Sequence, residues 1–428
     1  MVLSYRPRPN MIRTSCLVAF TLALAACGGG NGGSSAPDYY TIPLTTEDQE
    51  FWSPKMTVGG QTFVMDLDTG STTTAIAGTN CSTCTNVSPE YMPGSTAMDE
   101  MKTAESEYAD GTGWQGEVYQ DTVMVGSDTP EATFALVDIS TQVVGGGQSG
   151  FFDTNNDYQG ILGMGAPENA VNNTGAYFQT LVGSDGVKPV MAFELCSDGG
   201  TMWLGGYDES HGSGAVQYTP MVPINNDNPF YSINVTSMAI GNTNVGTGAD
   251  AFQEPVIDTG TTFFYVPTGI QSAAISAINA SSGFQALFPG QALQNDPNFS
   301  GIGCTNTSSV TDAQVDAMLP TLNLVLPGVN NGPSVMFQIP ALESYLFDAG
   351  QGVFCLGLED GGSQEASTFG DQFMQAFVSV IDTGNNQIGF AFDKGCGSGS
   401  SESHRRAPRD LATLHPHLPK RGIFASAR

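Results

Sequence analysis

The chain has 428 residues, enough for two lobes with substantial cores, and its formal net charge is −29 at pH 7. Such an excess of acidic residues argues against nucleic-acid binding, because phosphate backbones are recognised by basic surfaces. With 53 Gly, 24 Pro and only 13% charged residues, the composition predicts a turn-rich all-β protein rather than a helical one.

The first feature in chain order is an export signal. Three arginines precede an apolar run at residues 17–26, which is too short to anchor the chain stably in a bilayer. The run ends in Leu24-Ala25-Ala26-Cys27, which resembles the bacterial lipobox. That resemblance implies lipidation of Cys27 and a membrane-anchored place in the cell envelope, on the periplasmic or outer-membrane face. The alternative is a plain secretory cleavage that leaves Cys27 as a free thiol.

Two later segments nearly repeat each other. Residues 64–72 and 254–262 each run from an apolar strand into Asp-Thr-Gly, followed by two hydroxyl residues. The repeat indicates two related halves, each contributing one carboxylate, Asp68 or Asp258, to a shared site. Two carboxylates about 3 Å apart share one proton, so one can act as a base towards water while the other donates to a carbonyl oxygen. This pattern predicts hydrolysis of peptide bonds without a covalent intermediate.

Two further motifs help to decide whether the repeated Asp-Thr-Gly segments are functional or merely turns. About a hundred residues after each copy come Ile161-Leu162-Gly163 and Thr368-Phe369-Gly370, in the same order in both halves. A third Asp-Thr-Gly, beginning at Asp382, is followed by two asparagines instead of hydroxyl residues. We interpret this third copy as a hairpin turn, because Asp, Gly and Asn are typical turn residues.

Taken together, these motifs resemble those of the pepsin-like aspartic peptidases over residues 40–392, and Tyr108-Ala109-Asp110-Gly111-Thr112 resembles that family's flap hairpin. The resemblance implies an all-β, bilobal double β-barrel with pseudo-two-fold symmetry and an active-site cleft between the lobes. It also implies a monomeric aspartic endopeptidase, active at acidic pH, that binds polypeptide substrate in extended form. Asp68 and Asp258 would be its catalytic residues, and neither a metal nor a cofactor is expected.

The resemblance also assigns roles around the two carboxylates. Ser71 and Thr261 are expected to hydrogen-bond the outer carboxylate oxygens and so lower the pKa values of the pair. The flap is expected to close over the substrate and exclude water. The remaining candidates fall into two groups, the neighbours of the carboxylates and the flap residues: Thr69, Gly70, Thr259 and Gly260; Tyr108, Asp110, Gly111 and Thr112.

One stretch departs from the family pattern. The family usually carries a Trp a few residues after the first Asp-Thr-Gly-Ser, and the flap tyrosine hydrogen-bonds to it. Here Thr72-Thr73-Thr74-Ala75-Ile76 occupies that stretch. The sequence therefore leaves the partner of Tyr108 open.

Of the eight cysteines, six remain after the signal segment and Cys27, and disulfides are the default in an exported chain. Cys81-Ser82-Thr83-Cys84 has the spacing of a redox or zinc site, but no second CxxC exists and three of the four histidines lie in the last 25 residues. The pepsin family has a small disulfide loop at this position and a second-lobe bridge resembling Cys304–Cys355. Cys196 and Cys396 remain as the third predicted pair.

The predicted organisation has five parts: a signal peptide at 1–26, a tether at 27–38, an N-terminal lobe at 39–215, a C-terminal lobe at 216–397 and a tail at 398–428. The best helical candidates are 270–280 and 371–377, and strands are expected at 133–137 and 231–235. The last 25 residues carry six basic residues and one acidic residue. This tail is either disordered or folded back onto the acidic body as an inhibitor.

Two other functions compete with peptide hydrolysis. The alternative is a catalytically inactive binding or inhibitor protein on the same fold, which the two intact Asp-Thr-Gly motifs argue against. A surface β-protein that binds carbohydrate is the third possibility, and it leaves the paired motifs unexplained.

Overall fold

Strands dominate the computed structural model of the chain. The structure describes residues 38–46, 51–85, 87–108, 111–143, 150–152, 158–294, 304–306, 309–349, 352–362 and 367–394. By their contacts, all of these residues belong to one compact unit. The signal peptide with Cys27, the flap residue Asp110, Cys396 and the basic tail lie outside the described residues, so the predictions for them stay predictions.

Ten of the described strands belong to the N-terminal half. They are β1 (Tyr40–Leu44), β2 (Lys55–Val58), β3 (Gln61–Asp68), β4 (Ala75–Ala77), β5 (Met98–Glu107), β6 (Gly113–Val125), β7 (Ala132–Val143), β8 (Gly160–Gly163), β9 (Val190–Cys196) and β10 (Gly199–Leu204).

Seven of these strands form one sheet in the order β2-β3-β8-β4-β7-β6-β5, and β2 also pairs with β6. The extra pairing brings the sheet back on itself, which is how a barrel removes unpaired strand edges. The strand predicted at 133–137 lies within β7 and is confirmed. Alternate residues of this sheet point into a core of buried aromatic and aliphatic side chains.

The C-terminal half supplies fourteen described strands. They are β11 (Gln217–Pro220), β12 (Ser237–Ile240), β13 (Thr243–Thr247), β14 (Val256–Ile257), β15 (Phe264–Val266), β16 (Thr305–Asn306), β17 (Leu322–Leu326), β18 (Val335–Ile339), β19 (Leu346–Asp348), β20 (Val353–Leu356), β21 (Leu358–Asp360), β22 (Thr368–Phe369), β23 (Phe377–Asp382) and β24 (Gln387–Phe392).

Three sheets belong to this half alone, with strand orders β13-β12-β17-β18, β14-β22-β15-β21 and β16-β20-β19. The strand predicted at 231–235 is wrong: Ser232 and Ile233 make only isolated bridges, to Val256 and Met221. The β-rich composition is right about the class, but the ladder needed for a strand does not form at this segment.

A six-stranded sheet joins the two halves, with the order β1-β10-β9-β23-β24-β11. Strands from the N-terminal half pair with each other, and β9 then pairs with β23 from the C-terminal half. This sheet and the two sets of strands confirm the predicted all-β, bilobal pepsin fold. The lobe boundary at 215/216 stays a prediction.

Helices are few, as the composition predicts. The described α-helices are α1 (Tyr177–Ser184), α2 (Thr268–Ala280), α3 (Ser282–Leu287), α4 (Asp312–Met318) and α5 (Asp371–Met374). Short 3-10 helices lie at Pro167–Asn169, Val171–Asn173, Glu209–His211, Ala249–Ala251, Val329–Asn331 and Ala341–Glu343.

The two helix predictions had different outcomes. The predicted helix at 270–280 is confirmed by α2, which buries Ile270, Ala274 and Ile278 at a spacing of four residues. The one at 371–377 is too long, because α5 ends at Met374 and Phe377 already begins β23.

Two predicted disulfides are present, Cys81–Cys84 and Cys304–Cys355. Cys196 is also disulfide-bonded, and its predicted partner Cys396 lies outside the described residues. The four-residue Cys81–Cys84 loop is therefore a disulfide loop, as the family resemblance implied.

Candidate active site

Both repeated motifs fold into the same local structure. Asp68 ends β3, which pairs in parallel with β8, so that Asp68 lies opposite Gly163. Asp258 follows β14, which pairs in parallel with β22 and brings Ile257 opposite Phe369. The two Ile-Leu-Gly-like elements are therefore the strands that flank the two aspartates. This explains their common order in the sequence.

Two threonines fasten the halves together at the base of the site. Thr69 N donates to Thr259 Oγ1 at 3.1 Å, and Thr259 N donates to Thr69 Oγ1 at 3.0 Å. Each hydroxyl donates in turn across the junction, Thr69 to Ile257 O and Thr259 to Leu67 O, both at 2.8 Å. Both threonines are fully buried. This reciprocal set fixes the two Asp-Thr-Gly turns relative to each other.

The glycine of each turn packs against the aspartate of the other half. A Cβ on Gly70 would lie 2.6 Å from Asp258 Cγ, and a Cβ on Gly260 would lie 2.5 Å from Asp68 Oδ1. Real Cβ atoms do not approach other heavy atoms so closely. The two carboxyl groups can therefore meet only because both turns carry glycine.

Each carboxylate is held by the turn that follows it. Asp68 Oδ1 accepts from Gly70 N at 2.7 Å and from Ser71 N at 3.1 Å, and the Ser71 hydroxyl donates to Oδ2. Asp258 Oδ1 accepts from Gly260 N at 2.9 Å, and Thr261 Oγ1 donates to Oδ2 at 2.6 Å. Ser71 and Thr261 thus make the predicted contacts.

The electrostatics of the pair are set by burial. Asp68 and Asp258 are only 5% and 2% exposed, and each packs against the glycine of the other turn, which brings the two carboxyl groups together. Burial, followed by the charge of Asp68, raises the pKa of Asp258 well above its usual value, against the lowering effect of Thr261 and Gly260. At Asp258 the Thr261 hydroxyl lowers the pKa as expected, but burial and the charge of Asp68 outweigh it.

The polar stretch that replaces the family's usual Trp has a structural role. Thr72 and Thr73 are buried. Thr72 Oγ1 donates to Ala166 O at 2.6 Å, and Thr73 Oγ1 lies 2.8 Å from Thr174 Oγ1. Asn169 from the same neighbouring segment donates to Gly70 O at 3.2 Å. These contacts hold residues 166–174 against the first Asp-Thr-Gly turn.

The predicted flap is a hairpin between β5 and β6. Tyr108 N donates to Thr112 O at 2.8 Å, and Gly111 N donates to Tyr108 O at 2.9 Å. Gly111 closes the turn with φ of 79°, a conformation that favours glycine. Thr112 is buried, whereas Tyr108 is half-buried.

The partner of Tyr108 comes from the flap itself. Trp114, on the returning strand β6, donates its indole N–H to the Tyr108 hydroxyl at 2.8 Å. The ring of Tyr108 also stacks on Phe151, with centroids 5.5 Å apart and planes at 21°. Phe151 packs in turn against Phe152 and Tyr158. The flap tyrosine thus packs against an aromatic cluster formed by Phe151, Phe152 and Tyr158.

Sequence reasoning missed Trp114 and Asn169. Trp114 had a usable signal: it is one of three tryptophans and it follows the flap turn by two residues, where an indole donor can reach back across the hairpin. Asn169 had none, because its contact with Gly70 spans 99 residues and depends on how the 166–174 segment packs.

The described part of the chain contains neither a metal-binding cluster nor a membrane-spanning helix. No group of three or more His, Cys, Asp and Glu side chains there could hold a metal ion. None of the helices in the ranges given above is both long and apolar enough to cross a bilayer.

Sequence comparison with known proteins identifies the family of this chain. A sequence model of the eukaryotic aspartyl protease family matches residues 54–392. The chain is 29% identical over 358 residues to an aspartic protease of Phaffia rhodozyma, covering 81% of this chain and 78% of that protein. It is 28% identical over 359 residues to penicillopepsin-1 of Penicillium janthinellum, covering 81% and 96%.

A third relative is rhizopuspepsin-2 of Rhizopus niveus, 30% identical over 263 residues that cover 59% of this chain and 61% of that protein. The family match spans both Asp-Thr-Gly turns, the flap and the strands that flank them. The chain therefore belongs to the eukaryotic aspartyl protease family, the pepsin-like aspartic peptidases.

Proposed function

We propose that the chain is an aspartic endopeptidase that works at acidic pH, with Asp68 and Asp258 sharing one proton. The observation that carries this proposal is the pair itself: two buried carboxyl groups, each packed against the Asp-Thr-Gly turn of the other half, with the pKa of Asp258 raised by burial and by Asp68. A shared proton gives the site one acid and one base at the same time.

The reaction follows from this division. Asp68, which accepts hydrogen bonds from Gly70 and Ser71, acts as the base and takes a proton from a water molecule. The water oxygen bonds to the scissile carbonyl carbon, while Asp258 donates its proton to the carbonyl oxygen. Asp68 then gives its proton to the leaving nitrogen and Asp258 recovers its own. The C–N bond breaks, so an amine and a carboxylic acid leave.

The flap supplies positioning. An extended polypeptide presents backbone N–H and C=O groups to the flap and to the edges of the cleft, in the manner of an added strand. Tyr108 and Thr112 belong to this hairpin, and closure of the flap over the substrate excludes bulk water from the carboxyl pair. The proposed substrate is thus a polypeptide, and the proposed enzyme is a monomer.

Hydrolysis of a denatured protein at acidic pH tests the proposal. The wild type should cleave it, and a statine-type transition-state mimic should block cleavage because its hydroxyl takes the place of the attacking water. Asp68→Asn and Asp258→Asn should be inactive under the same conditions. A wild type that binds the mimic but hydrolyses no polypeptide would instead indicate the inactive binding protein.

We propose further that the chain is exported and lipid-anchored. The support is sequence alone: a short apolar run that ends at Cys27 and resembles the lipobox, followed by a Gly-rich tether. Cys27→Ser should move the protein from the membrane fraction to the soluble fraction without changing its specific activity. A wild type that is soluble, with an unmodified Cys27 by mass spectrometry, would contradict this anchor.

A further inference from the structure

The Cys81–Cys84 disulfide loop has no role in the chemistry described above, yet it is hydrogen-bonded to β7, the strand that pairs with β6 of the flap hairpin. The contact is made by Gln142, near the end of β7, which is only 7% exposed. Gln142 N donates to Thr83 Oγ1 at 2.9 Å, and its side-chain Nε2 donates to Thr83 O. Thr83 stands between the two cysteines, so the disulfide fixes the group that Gln142 binds.

The other end of the same side chain points towards the aromatic cluster under the flap. Phe152 N donates to Gln142 Oε1 at 2.8 Å. Phe152 packs edge-on against Phe151 at 4.8 Å, and Phe151 stacks on Tyr108. The amide of Gln142 therefore joins the disulfide loop to the segment that carries the ring beneath Tyr108.

Gln142 also lies opposite Trp114 in the pairing of β6 with β7. Directly opposed residues of an antiparallel pair have their side chains on the same face of the sheet. Trp114 donates to the Tyr108 hydroxyl. The flap tyrosine is thus held from two directions, through Phe151 and through Trp114, and both supports adjoin Gln142.

We propose that Gln142 is a positioning residue for the flap, linking the Cys81–Cys84 loop to the aromatic cluster that holds Tyr108. A buried amide whose donor and acceptor are both used is costly to replace, because each backbone partner would be left unsatisfied. The side chain touches neither Asp68 nor Asp258. Loss of the Gln142 side chain should therefore weaken substrate binding and leave the proton transfers by Asp68 and Asp258 unchanged.

The test is steady-state kinetics on a peptide with large apolar residues on both sides of the scissile bond. This test rests on the proposed endopeptidase activity. Gln142→Met keeps the length of the side chain but makes none of its hydrogen bonds. We expect KM to rise about tenfold, since two net hydrogen bonds of ordinary strength are lost. We expect kcat to change by less than about twofold and its pH profile to keep its shape.

Gln61→Met is the matched control. Gln61 makes the same kind of bridge, donating to Met92 O at 2.8 Å and accepting from Met92 N at 3.1 Å. That bridge is exposed and includes no residue of the flap, so the KM of the Gln61→Met enzyme should equal that of the wild type. A Gln142→Met enzyme with the KM of Gln61→Met would overturn the proposal.

Variants of the loop keep the proposal testable if Gln142→Met fails to fold. Thr83 is exposed, and Thr83→Val removes the hydroxyl that accepts from Gln142 N. It should raise KM about threefold, consistent with the loss of one weak hydrogen bond, and Thr83→Ser should restore the wild-type value. Equal KM values for the Val and Ser variants would contradict the link.

The disulfide completes the test. Replacing both cysteines, Cys81→Ser with Cys84→Ser, should raise KM, and adding Gln142→Met should raise it no further than the larger single effect. Effects that multiply would show that the loop and Gln142 act separately, against the proposal.

A spectroscopic measurement separates failure of this proposal from failure of the proposed activity. Gln142→Met should change the Trp114 fluorescence, measured as the difference from a Trp114→Phe background, whether or not peptide is hydrolysed. An unchanged Trp114 signal would contradict the link. An inactive wild type would overturn the proposed endopeptidase activity instead.

Discussion

The two Asp-Thr-Gly turns make the same threonine contacts across the junction, but they stand in different surroundings. The first turn lies beside the 166–174 segment through Asn169, and the flap belongs to its half of the chain. In the second, Asp258 is the more buried carboxyl, and its pKa is raised. The symmetry of the fold brings the carboxyl groups together, and their unequal surroundings are the basis of the proposed division into one acid and one base.

A third Asp-Thr-Gly shows that the tripeptide alone has no such consequence. Asp382 ends β23 at a hairpin turn and accepts hydrogen bonds from Asn385 N at 3.0 Å, Asn385 Nδ2 at 2.7 Å and Gln387 Nε2 at 3.0 Å. These donors all come from the same hairpin. The prediction of a structural turn is confirmed, and Asn385, one of the two asparagines that mark the turn in the sequence, is among the residues that bind Asp382.

The largest expected effect comes from removing either carboxylate. Asp68→Asn removes the base and Asp258→Asn removes the acid, so each should lower kcat by several orders of magnitude, at least the ~10²–10⁴ of general acid–base catalysis. Asp382→Asn is the control and should retain activity. Thermal unfolding should show all three variants folded. An Asp382 variant as inactive as the other two would break the distinction between the turns.

The next effect tests the crossed packing of the glycines. Gly70→Ala forces a methyl group into Asp258, and Gly260→Ala forces one into Asp68, so each should misplace the opposite carboxyl. A displacement near 1 Å costs on the order of 100-fold in rate. Gly269→Ala is the control, because a Cβ there meets nothing within 4 Å. Full activity in Gly70→Ala would mean that the two turns are not packed this closely.

A smaller effect concerns the flap, which belongs to the first half. Trp114→Phe removes the donor to the Tyr108 hydroxyl, and a lost hydrogen bond of this kind costs roughly 1 kcal/mol, about fivefold in kcat/KM. Tyr108→Phe removes the same bond from the other side. The double variant should therefore lose no more than the larger single loss. Independent, multiplying losses would show that the bond does not act in catalysis.

The last effect concerns stability instead of rate, and it compares how buried carboxyl groups in different places respond to pH. Burial, with Glu117 adding to it, raises the pKa of Asp138 in β7 to about 7. Burial also raises the pKa of Glu194 in β9 to about 7, against the hydrogen bond from His211. The folded state thus binds more protons than the unfolded state between about pH 4 and pH 7. The free energy of unfolding should therefore fall as pH rises through that window.

Asp138→Asn should flatten this decline by about 1–2 kcal/mol, because the amide carries no charge to bury. Asp227→Asn, at an exposed position, should leave it unchanged. Urea unfolding at several pH values measures both. A stability that rises towards neutral pH would have the wrong sign for this explanation.

The sequence predicts those parts of the site that are local. Asp68, Ser71 and their counterparts lie within a few residues of each other, so a motif records them, and the hairpins at 108–112 and 382–387 are equally local. The parts that escape prediction are contacts between distant segments. Asn169 reaches Gly70, and Gln142 joins Thr83 to Phe152, only because the barrel brings these strands and loops together.

Secondary structure shows the same division. Helix α2 is predicted because its apolar spacing lies within one segment. The 231–235 segment has a strand-like composition, but its backbone makes only isolated bridges, to Met221 and Val256. Composition alone does not show whether a neighbouring strand is available to pair.

The most direct test of the shared proton is the pH dependence of kcat for the wild-type enzyme on one peptide, from strongly acidic to slightly alkaline conditions. Two coupled carboxyls that need exactly one proton between them should give a bell-shaped profile centred below neutrality. The alkaline limb reports loss of the proton that burial and Asp68 retain on Asp258. A profile that rises through neutrality and peaks above it would contradict the account.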